Sequence, residues 1–277
     1  MWFSSLATLQ LYDFITLRLI MAYALVTGAS KGIGLAIAQE LARRKFDLLL
    51  IARSAPLLQQ AAQQLTTTYG IKTDYLAIDL AQSGAAQDVF NWCKQKSYSV
   101  QLLVNNAGYG LSGPFENHPL SAHLDMMAVN NTALVELCYL FLPQLRQQPK
   151  AYILNIGSSA AYQAVPGLSL YAASKALVLS FSRGLRQDLK RTTVSVTCVC
   201  PGSTDTDFGA RAQIGEKAQK AAEKVNMTPA DVAKQAVEAT LVGKAEVVTG
   251  IINKVGKLMA WLMPKGIVET TAGSIYE

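Results

Sequence analysis

From Met21 onward the chain alternates short, nearly unbroken runs of Val, Ile, Leu and Ala with longer stretches of helical period. An apolar run of strand length belongs to a strand buried on both faces, and the helices between such strands supply the cover. The runs fall at residues 22–27, 46–52, 72–78, 100–105, 151–156 and 194–199, with 247–249 as a short seventh. Helices are predicted over 32–44, 56–69, 85–96, 120–127 and 132–146, and in a long stretch opening near Tyr171. In that last helix Leu177, Phe181, Leu185 and Leu189 recur every four residues, which predicts one apolar stripe. Strands joined through helices cross over with a right hand. The expected fold is therefore α/β, a doubly wound, mostly parallel seven-stranded sheet with helices on both faces. Its ligand belongs at the carboxyl ends of the strands.

No Pro/Gly/Ser-rich linker, internal repeat or shift in composition divides the 277 residues. One Rossmann-type domain is expected over 21–250, followed by an amphipathic helix and tail over 251–277. Apolar residues at 51% against 16% charged exclude disorder and imply a sizeable core. A net charge of +6 suits an anionic ligand, but Lys and Arg form no long block, which argues against a nucleic-acid partner. Cys93, Cys138, Cys198 and Cys200 include no C-x-x-C pair and no metal-ligand spacing. Cys198 and Cys200 stand two apart on a predicted strand and so share a face. The thiols are read as reduced core residues of a cytoplasmic protein, and His118 and His123 as solvated.

Residues 1–20 are apolar but interrupted by Asp13 and Arg18. They show no basic n-region, unbroken apolar run or small-x-small cleavage site, and are too short between charges to span a bilayer. An upstream or misassigned start ahead of Met21 is the favoured expectation, and a peripheral amphipathic segment the alternative.

Tyr171 and Lys175 in YAASK stand four apart and project from one helical face. An ammonium one turn from a phenol favours the phenolate and draws its pKa toward the working range, so the pair can move a proton at a carbonyl oxygen. After the first strand, TGASKGIG places Gly28, Gly32 and Gly34 at a strand-to-helix turn, where backbone N–H groups can meet a pyrophosphate. Asn105-Asn106-Ala107-Gly108 ends the fourth strand on the same sheet edge. Asn130 follows in a helical stretch, Ser158 lies just past the fifth strand, and Pro201-Gly202 ends the sixth.

The set TGASKGIG, NNAG, Asn130, Ser158, YAASK and PG, in this order and spacing, resembles the short-chain dehydrogenase/reductase family in its short single-domain branch, over about residues 21–249. The resemblance implies catalytic roles for Asn130, Ser158, Tyr171 and Lys175. Tyr171 would give its proton to the carbonyl oxygen in reduction. Ser158 would orient that carbonyl, and Lys175 would bind the nicotinamide ribose and lower the Tyr171 pKa. Asn130 would hold a water linking Lys175 to solvent. Cofactor contacts are expected at Gly28, Ser30, Lys31, Gly32, Ile33, Gly34, Arg53, Asp79, Leu80, Asn106, Ala107 and Gly108, at Tyr171 and Lys175, and at Pro201, Gly202, Thr204 and Thr206.

The second strand ends in Ile51-Ala52-Arg53 without the carboxylate that NAD enzymes place there, and Arg53 and Lys31 offer cations for a 2′-phosphate. NADP(H) is therefore expected in preference to NAD(H). The expected reaction is reduction of a small-molecule ketone or aldehyde to an alcohol. The alternatives are 3-oxoacyl thioester reduction and a non-catalytic NADP(H)-binding sensor or scaffold. Residues 109–116, 162–168 and 206–227 should surround the substrate, the last as a helical lid bearing Glu216, Lys217, Lys220, Glu223 and Lys224. Near the end Ile252, Val255, Met259 and Leu262 form an apolar face, with Lys254, Lys257 and Trp261 elsewhere on that helix. Such a helix can lie on a membrane, but covering its own domain or a subunit interface is the favoured expectation. The run LMPKGIVE also resembles a bacterial subgroup with fatty-acyl or other lipophilic substrates. A homodimer or homotetramer is expected.

Overall fold

Each predicted apolar run becomes a strand, and all pair in parallel. The structure, a computed structural model, describes residues 23–206, 208–212, 215, 219 and 226–276. Residues 1–20 and the lid residues Glu216, Lys217, Lys220, Glu223 and Lys224 lie outside the described residues. The strands are β1 (Tyr23–Thr27), β2 (Asp47–Ala52), β3 (Thr73–Ala77), β4 (Val100–Asn105), β5 (Ala151–Ile156), β6 (Val194–Cys200) and β7 (Glu246–Val248), in the order β3-β2-β1-β4-β5-β6-β7. The helices between them are α1 (Gly32–Arg43), α2 (Ala55–Tyr69), α3 (Ala85–Gln95), α4 (Leu120–Met127), α5 (Ala133–Arg146), α6 (Ser169–Asp188), α7 (Phe208–Arg211) and α8 (Pro229–Leu241). Beyond the sheet come α9 (Ile251–Leu262) and α10 (Lys265–Tyr276).

The unbroken runs are explained by burial on both faces. Leu48 and Leu50 of β2 pack under α1 and α2, whereas Leu49 and Ile51 join α3, α5 and α6 in the opposite core. Each such leucine is fully buried, which stabilises by about 1.5–3 kcal/mol per side chain. Cys93, Cys138, Cys198 and Cys200 are all buried free thiols, with Cys198 and Cys200 on one face and their sulfurs 3.9 Å apart.

Two local expectations are corrected. The stripe predicted for α6 is not its inward face: Leu177 is 41% exposed, Phe181 and Leu185 are half-buried, and only Leu189 is buried. The face turned to the sheet carries Tyr171, Ser174, Lys175, Val178 and Ser182. Polar groups go inward because partners await them there: Asn155 donates to the Ser182 hydroxyl at 2.9 Å, and Asn105 donates to the Asn155 oxygen at 2.9 Å. His123, read as solvated, is buried. The short 3-10 helix Phe115–Asn117 brings Phe115 against it, stacking the rings at 4.4 Å with Nε2 2.9 Å from the Phe115 carbonyl oxygen. His118 is half-buried.

A further feature joins helices predicted as separate. Leu120–Arg146 is one run, interrupted by a π turn at Ala128–Thr132. The wider turn directs Asn130 and Asn131 into α6, where they donate to the Ser174 hydroxyl at 3.1 Å and its carbonyl at 2.8 Å.

The strand order reverses between β1 and β4, which opens a crevice at their carboxyl ends. Thr27 ties that crevice together. Its hydroxyl donates to the Val104 carbonyl at 3.2 Å and accepts from the backbone N–H groups of Asn106 at 2.9 Å and Ala107 at 3.0 Å. Thr27→Val keeps the shape but leaves those N–H groups without an acceptor, so a loss of about 2–4 kcal/mol in urea unfolding is expected. Thr27→Ser should lose less than half as much. An unchanged midpoint for Thr27→Val would remove this hydroxyl from its organising role.

Candidate active site

The turn after β1 is shaped for close approach by an anion. Gly28 and Gly32 sit at φ +65° and +59°, a region that side chains other than glycine rarely adopt. A Cβ on Gly34 would collide with the Gly28 carbonyl oxygen, so the third glycine lets α1 start directly beneath the turn. Asn106 donates to the Thr27 carbonyl at 2.9 Å, which locks the NNAG turn of β4 against the glycine turn of β1. Helix α1 has no side-chain N-cap bond and no acidic residue in its first turn, so its N-terminal N–H groups and dipole favour negative charge. Ser30 and Ile33 are half-buried on the same turn, and Lys31 is exposed at its head. These residues fit the pyrophosphate of a dinucleotide, which would lie at the turn.

Arg53 leaves the end of β2 with its side chain 59% exposed and faces Asp79 at 3.8 Å. Asp79 also accepts from the Ala81 backbone at 3.1 Å, while Leu80 is buried. The tip of β2 lacks its own carboxylate, as expected, yet β3 delivers one beside it. That pairing bears directly on cofactor choice and was not legible from the β2 sequence.

Lys175 is the most constrained group of the site. It lies within the protein, its ammonium donating to the Ile156 carbonyl at 2.9 Å and standing 5.9 Å from the centre of the Tyr171 ring. Burial draws its pKa down to about 8, against an opposing pull from the sulfurs of Cys198 and Cys200. Tyr171 is buried and its ring lies 5.3 Å from that of Phe208 on α7. A Cβ on Gly108 would stand 3.3 Å from the Lys175 nitrogen and 3.0 Å from the Asn130 amide oxygen, so these three positions share one corner. Asn130 holds Tyr109 from both sides: its amide donates to the Tyr109 carbonyl at 2.9 Å and its oxygen accepts from the Tyr109 N–H at 3.0 Å. Ser158 follows β5, and its hydroxyl accepts from the Ala160 N–H at 3.1 Å.

The loops expected around the substrate do meet. Gly113 donates to the Gly167 carbonyl at 2.9 Å, and Ser112 to that of Ala212 at 2.9 Å. The described part of the third segment is pinned at its base, where Thr204 bridges Met227 and Asp205 donates to the Met227 carbonyl at 3.0 Å. Thr206 lies beside Gly32, 3.3 Å from where a Cβ would stand, and Pro201 accepts from the Ser159 N–H at 2.7 Å. A cleft of 390 Å³ runs between Lys31, Gly32 and Leu35 on one side and Asp205, Thr206 and Thr228 on the other. Sequence reasoning missed Thr27, Ser174 and Phe208. Ser174 was detectable by its spacing, three residues after Tyr171 on the same face, whereas Phe208 had no local signal.

A sequence model of the family described as short chain dehydrogenase matches residues 22–216. The very-long-chain 3-oxoacyl-CoA reductase of Anas platyrhynchos is 38% identical over 186 residues, which is 65% of this chain and 59% of that protein. The match thus spans about three-fifths of that relative's length. Among solved structures, a short-chain dehydrogenase from Sphingobium yanoikuyae in complex with NADPH is 29% identical with a TM-score of 0.75, covering 86% of this chain and 91% of that one. A short-chain dehydrogenase/reductase from Burkholderia phymatum in complex with NAD shares the fold, with a TM-score of 0.78 at 22% identity and coverage of 86% and 92%.

The buried ammonium makes a pH-dependent expectation. Its folded pKa of about 8 lies below the ordinary 10.5, so between those values the unfolded chain binds the extra proton and stability rises with pH. In cofactor-free protein, Lys175→Met should be more stable than wild type below pH 8, by up to about 3 kcal/mol. The gap should close toward pH 10.5. Urea unfolding near neutrality and in mild alkali measures it, and a gap that does not change with pH would show that Lys175 is not held as a costly buried cation.

Proposed function

Because this chain belongs to the short-chain dehydrogenase family, we propose that it uses NADPH to reduce a ketone or aldehyde to an alcohol. The family makes it an NAD(P)-dependent oxidoreductase; the reductive direction and the choice of NADPH are our reading. The observation that carries the reading is the placement of Lys175, buried one helical turn from Tyr171 at the carboxyl end of β5.

The cofactor, when bound, supplies the hydride. The glycine turn of Gly28, Ser30, Lys31, Gly32, Ile33 and Gly34 would hold its pyrophosphate. Asn106, Ala107 and Gly108, with Pro201, Gly202, Thr204 and Thr206, would flank its nicotinamide half. Tyr171 gives its hydroxyl proton to the carbonyl oxygen, and Ser158 donates to the same oxygen, so two hydroxyls would meet the charge developing there. Lys175 would hold the nicotinamide ribose, and its ammonium stabilises the phenolate left on Tyr171. Asn130 completes the relay by seating a water between Lys175 and solvent. Both of its amide hydrogens are committed to Tyr109 and Ser174, so its oxygens take that water.

A 3-oxoacyl thioester is the second substrate reading, supported by the 38% identity to a 3-oxoacyl-CoA reductase. The buried thiols support a cytoplasmic location. Exposed apolar side chains on α4 to α6, among them Leu120, Tyr139 and Leu177, support a homodimer or homotetramer.

Tyr171→Phe should lower kcat by about 10²–10⁴-fold while NADPH affinity is retained, because only the proton donor is removed. NADPH oxidation with ketones, aldehydes and 3-oxoacyl thioesters measures it. Wild-type cofactor binding without turnover of any of these would favour the sensor reading.

Arg53→Ala should weaken NADPH about 10-fold in kcat/KM and leave NADH nearly untouched. This is the low end for a charge-assisted contact, because Arg53 is 59% exposed and already shares Asp79. An equal loss with both cofactors would make Arg53 a solvated charge.

A further inference from the structure

Helix α9 is mounted with its polar edge inward. Asn253, Lys257 and Ala260, at i, i+4 and i+7, are the half-buried positions, and none of the helix is fully buried. Asn253 donates to the Thr249 carbonyl at 2.8 Å and fills the space beside Gly202, where a Cβ would collide with it. Lys257 pairs with Glu246 of β7 and lies 4.9 Å over the Tyr162 ring. Burial pushes the Glu246 carboxyl up, but hydrogen bonds from Lys257 and the Tyr162 hydroxyl outweigh it and hold the group below the ordinary range. This clasp fixes the rotation of the helix.

The opposite side is apolar and left uncovered by the described residues. Ile251, Ile252, Val255, Leu258, Met259 and Leu262 are between 45% and 79% exposed, and they cover about 120° of the helix circumference. Lys254 flanks this arc, and Trp261 beside it is 80% exposed. Through this part of the chain the sign of charge is uniform: after Glu246 the next carboxylate is Glu269, and Lys254, Lys257 and Lys265 lie between them.

We propose that α9 docks this face on an anionic lipid bilayer, with Lys254 and Lys265 at the headgroups and the apolar arc in the interfacial layer. An apolar stripe edged by lysines and tryptophan is what such an interface accommodates. Charge argues against a second copy, because a two-fold contact would gather both copies of Lys254 and of Lys265 into one interface with no carboxylate between Glu246 and Glu269 of either chain to offset them. Residues 1–20 carry one Asp and one Arg and bring no net negative charge. The long helix Leu120–Arg146, though apolar enough for a bilayer, places Leu134, Leu137, Phe141 and Leu145 in the core and is not the lipid-facing element.

The test is sedimentation of the full chain with vesicles of phosphatidylcholine containing about a quarter phosphatidylglycerol, against phosphatidylcholine alone. Wild type should sediment with the anionic vesicles, less so in high salt. Leu258→Asp/Leu262→Asp should weaken that binding at least 10-fold and Lys254→Glu by a smaller factor. Both variants change exposed positions and should keep wild-type melting, NADPH binding and reduction of a water-soluble ketone. Sedimentation of the double variant as strong as that of wild type overturns the proposal, as does wild type remaining in the supernatant. In the latter case a molecular mass halved by Leu258→Asp/Leu262→Asp identifies a second copy as the occupant, and an unchanged mass points to residues 1–20. Vesicle binding with no turnover of any carbonyl would refute the catalytic reading alone.

Discussion

A buried ammonium with no carboxylate beside it among the described residues is the constraint on which the site depends. Burying an unpaired cation costs several kcal/mol, and no carboxylate is among the groups acting on Lys175. The fold offsets this with the Ile156 carbonyl at the end of β5 and the sulfurs of Cys198 and Cys200 on β6. The packing around that arrangement is tight at two glycines. A Cβ on Gly108 would press on Lys175, and one on Gly157 would stand 2.9 Å from the Cys200 sulfur. Glycines that read in the sequence as loop punctuation here leave room for Asn130 and Lys175 at one position and for the paired sulfurs of Cys198 and Cys200 at the other.

Much of this was readable because strand ends are local. Unbroken runs such as LLLI and LLV can be satisfied only between two layers of helix, so the parallel sheet and its edge followed from pattern alone. Once the sheet was placed, the residues just past β1, β4, β5 and β6 had to converge on one crevice, and they do. The inward face of α6 was not readable in the same way. A count of apolar residues favours Leu177, Phe181 and Leu185, whereas the sheet beneath offers Asn155 and the Ile156 carbonyl, and hydrogen-bonding partners outweigh hydropathy there. The pairing of Arg53 with Asp79 joins the ends of adjacent strands and appears only once their register is known.

The π turn shows how a local irregularity supports the buried cation. A regular helix through 128–132 would direct Asn130 and Asn131 differently relative to α6. With the turn in place, Asn131 holds the Ser174 carbonyl, Asn130 holds the Ser174 hydroxyl, and Ser174 donates back to the Tyr171 carbonyl at 2.7 Å. Helix α6 is thereby fixed against rotation at the level of Tyr171 and Lys175. The same Asn130 fixes Tyr109, so one residue orients both the helix bearing Tyr171 and Lys175 and a loop beside it.

The rule that polar groups seek partners and apolar ones seek cover is broken at α9. Rotating α9 by half a turn would bury its leucines, but it would also tear Lys257 from Glu246 and Asn253 from Thr249, leaving the half-buried carboxylate with Arg183 as its remaining cation. The clasp therefore holds the helix with its apolar face outward at the expense of exposed hydrocarbon, a cost that a covering layer would remove. Because Asn253 of the same helix packs on Gly202, where the wall of the crevice begins, whatever covers α9 lies next to the site. A reductase of lipophilic carbonyls would gain from that position, since its substrate is concentrated in the layer the helix would touch.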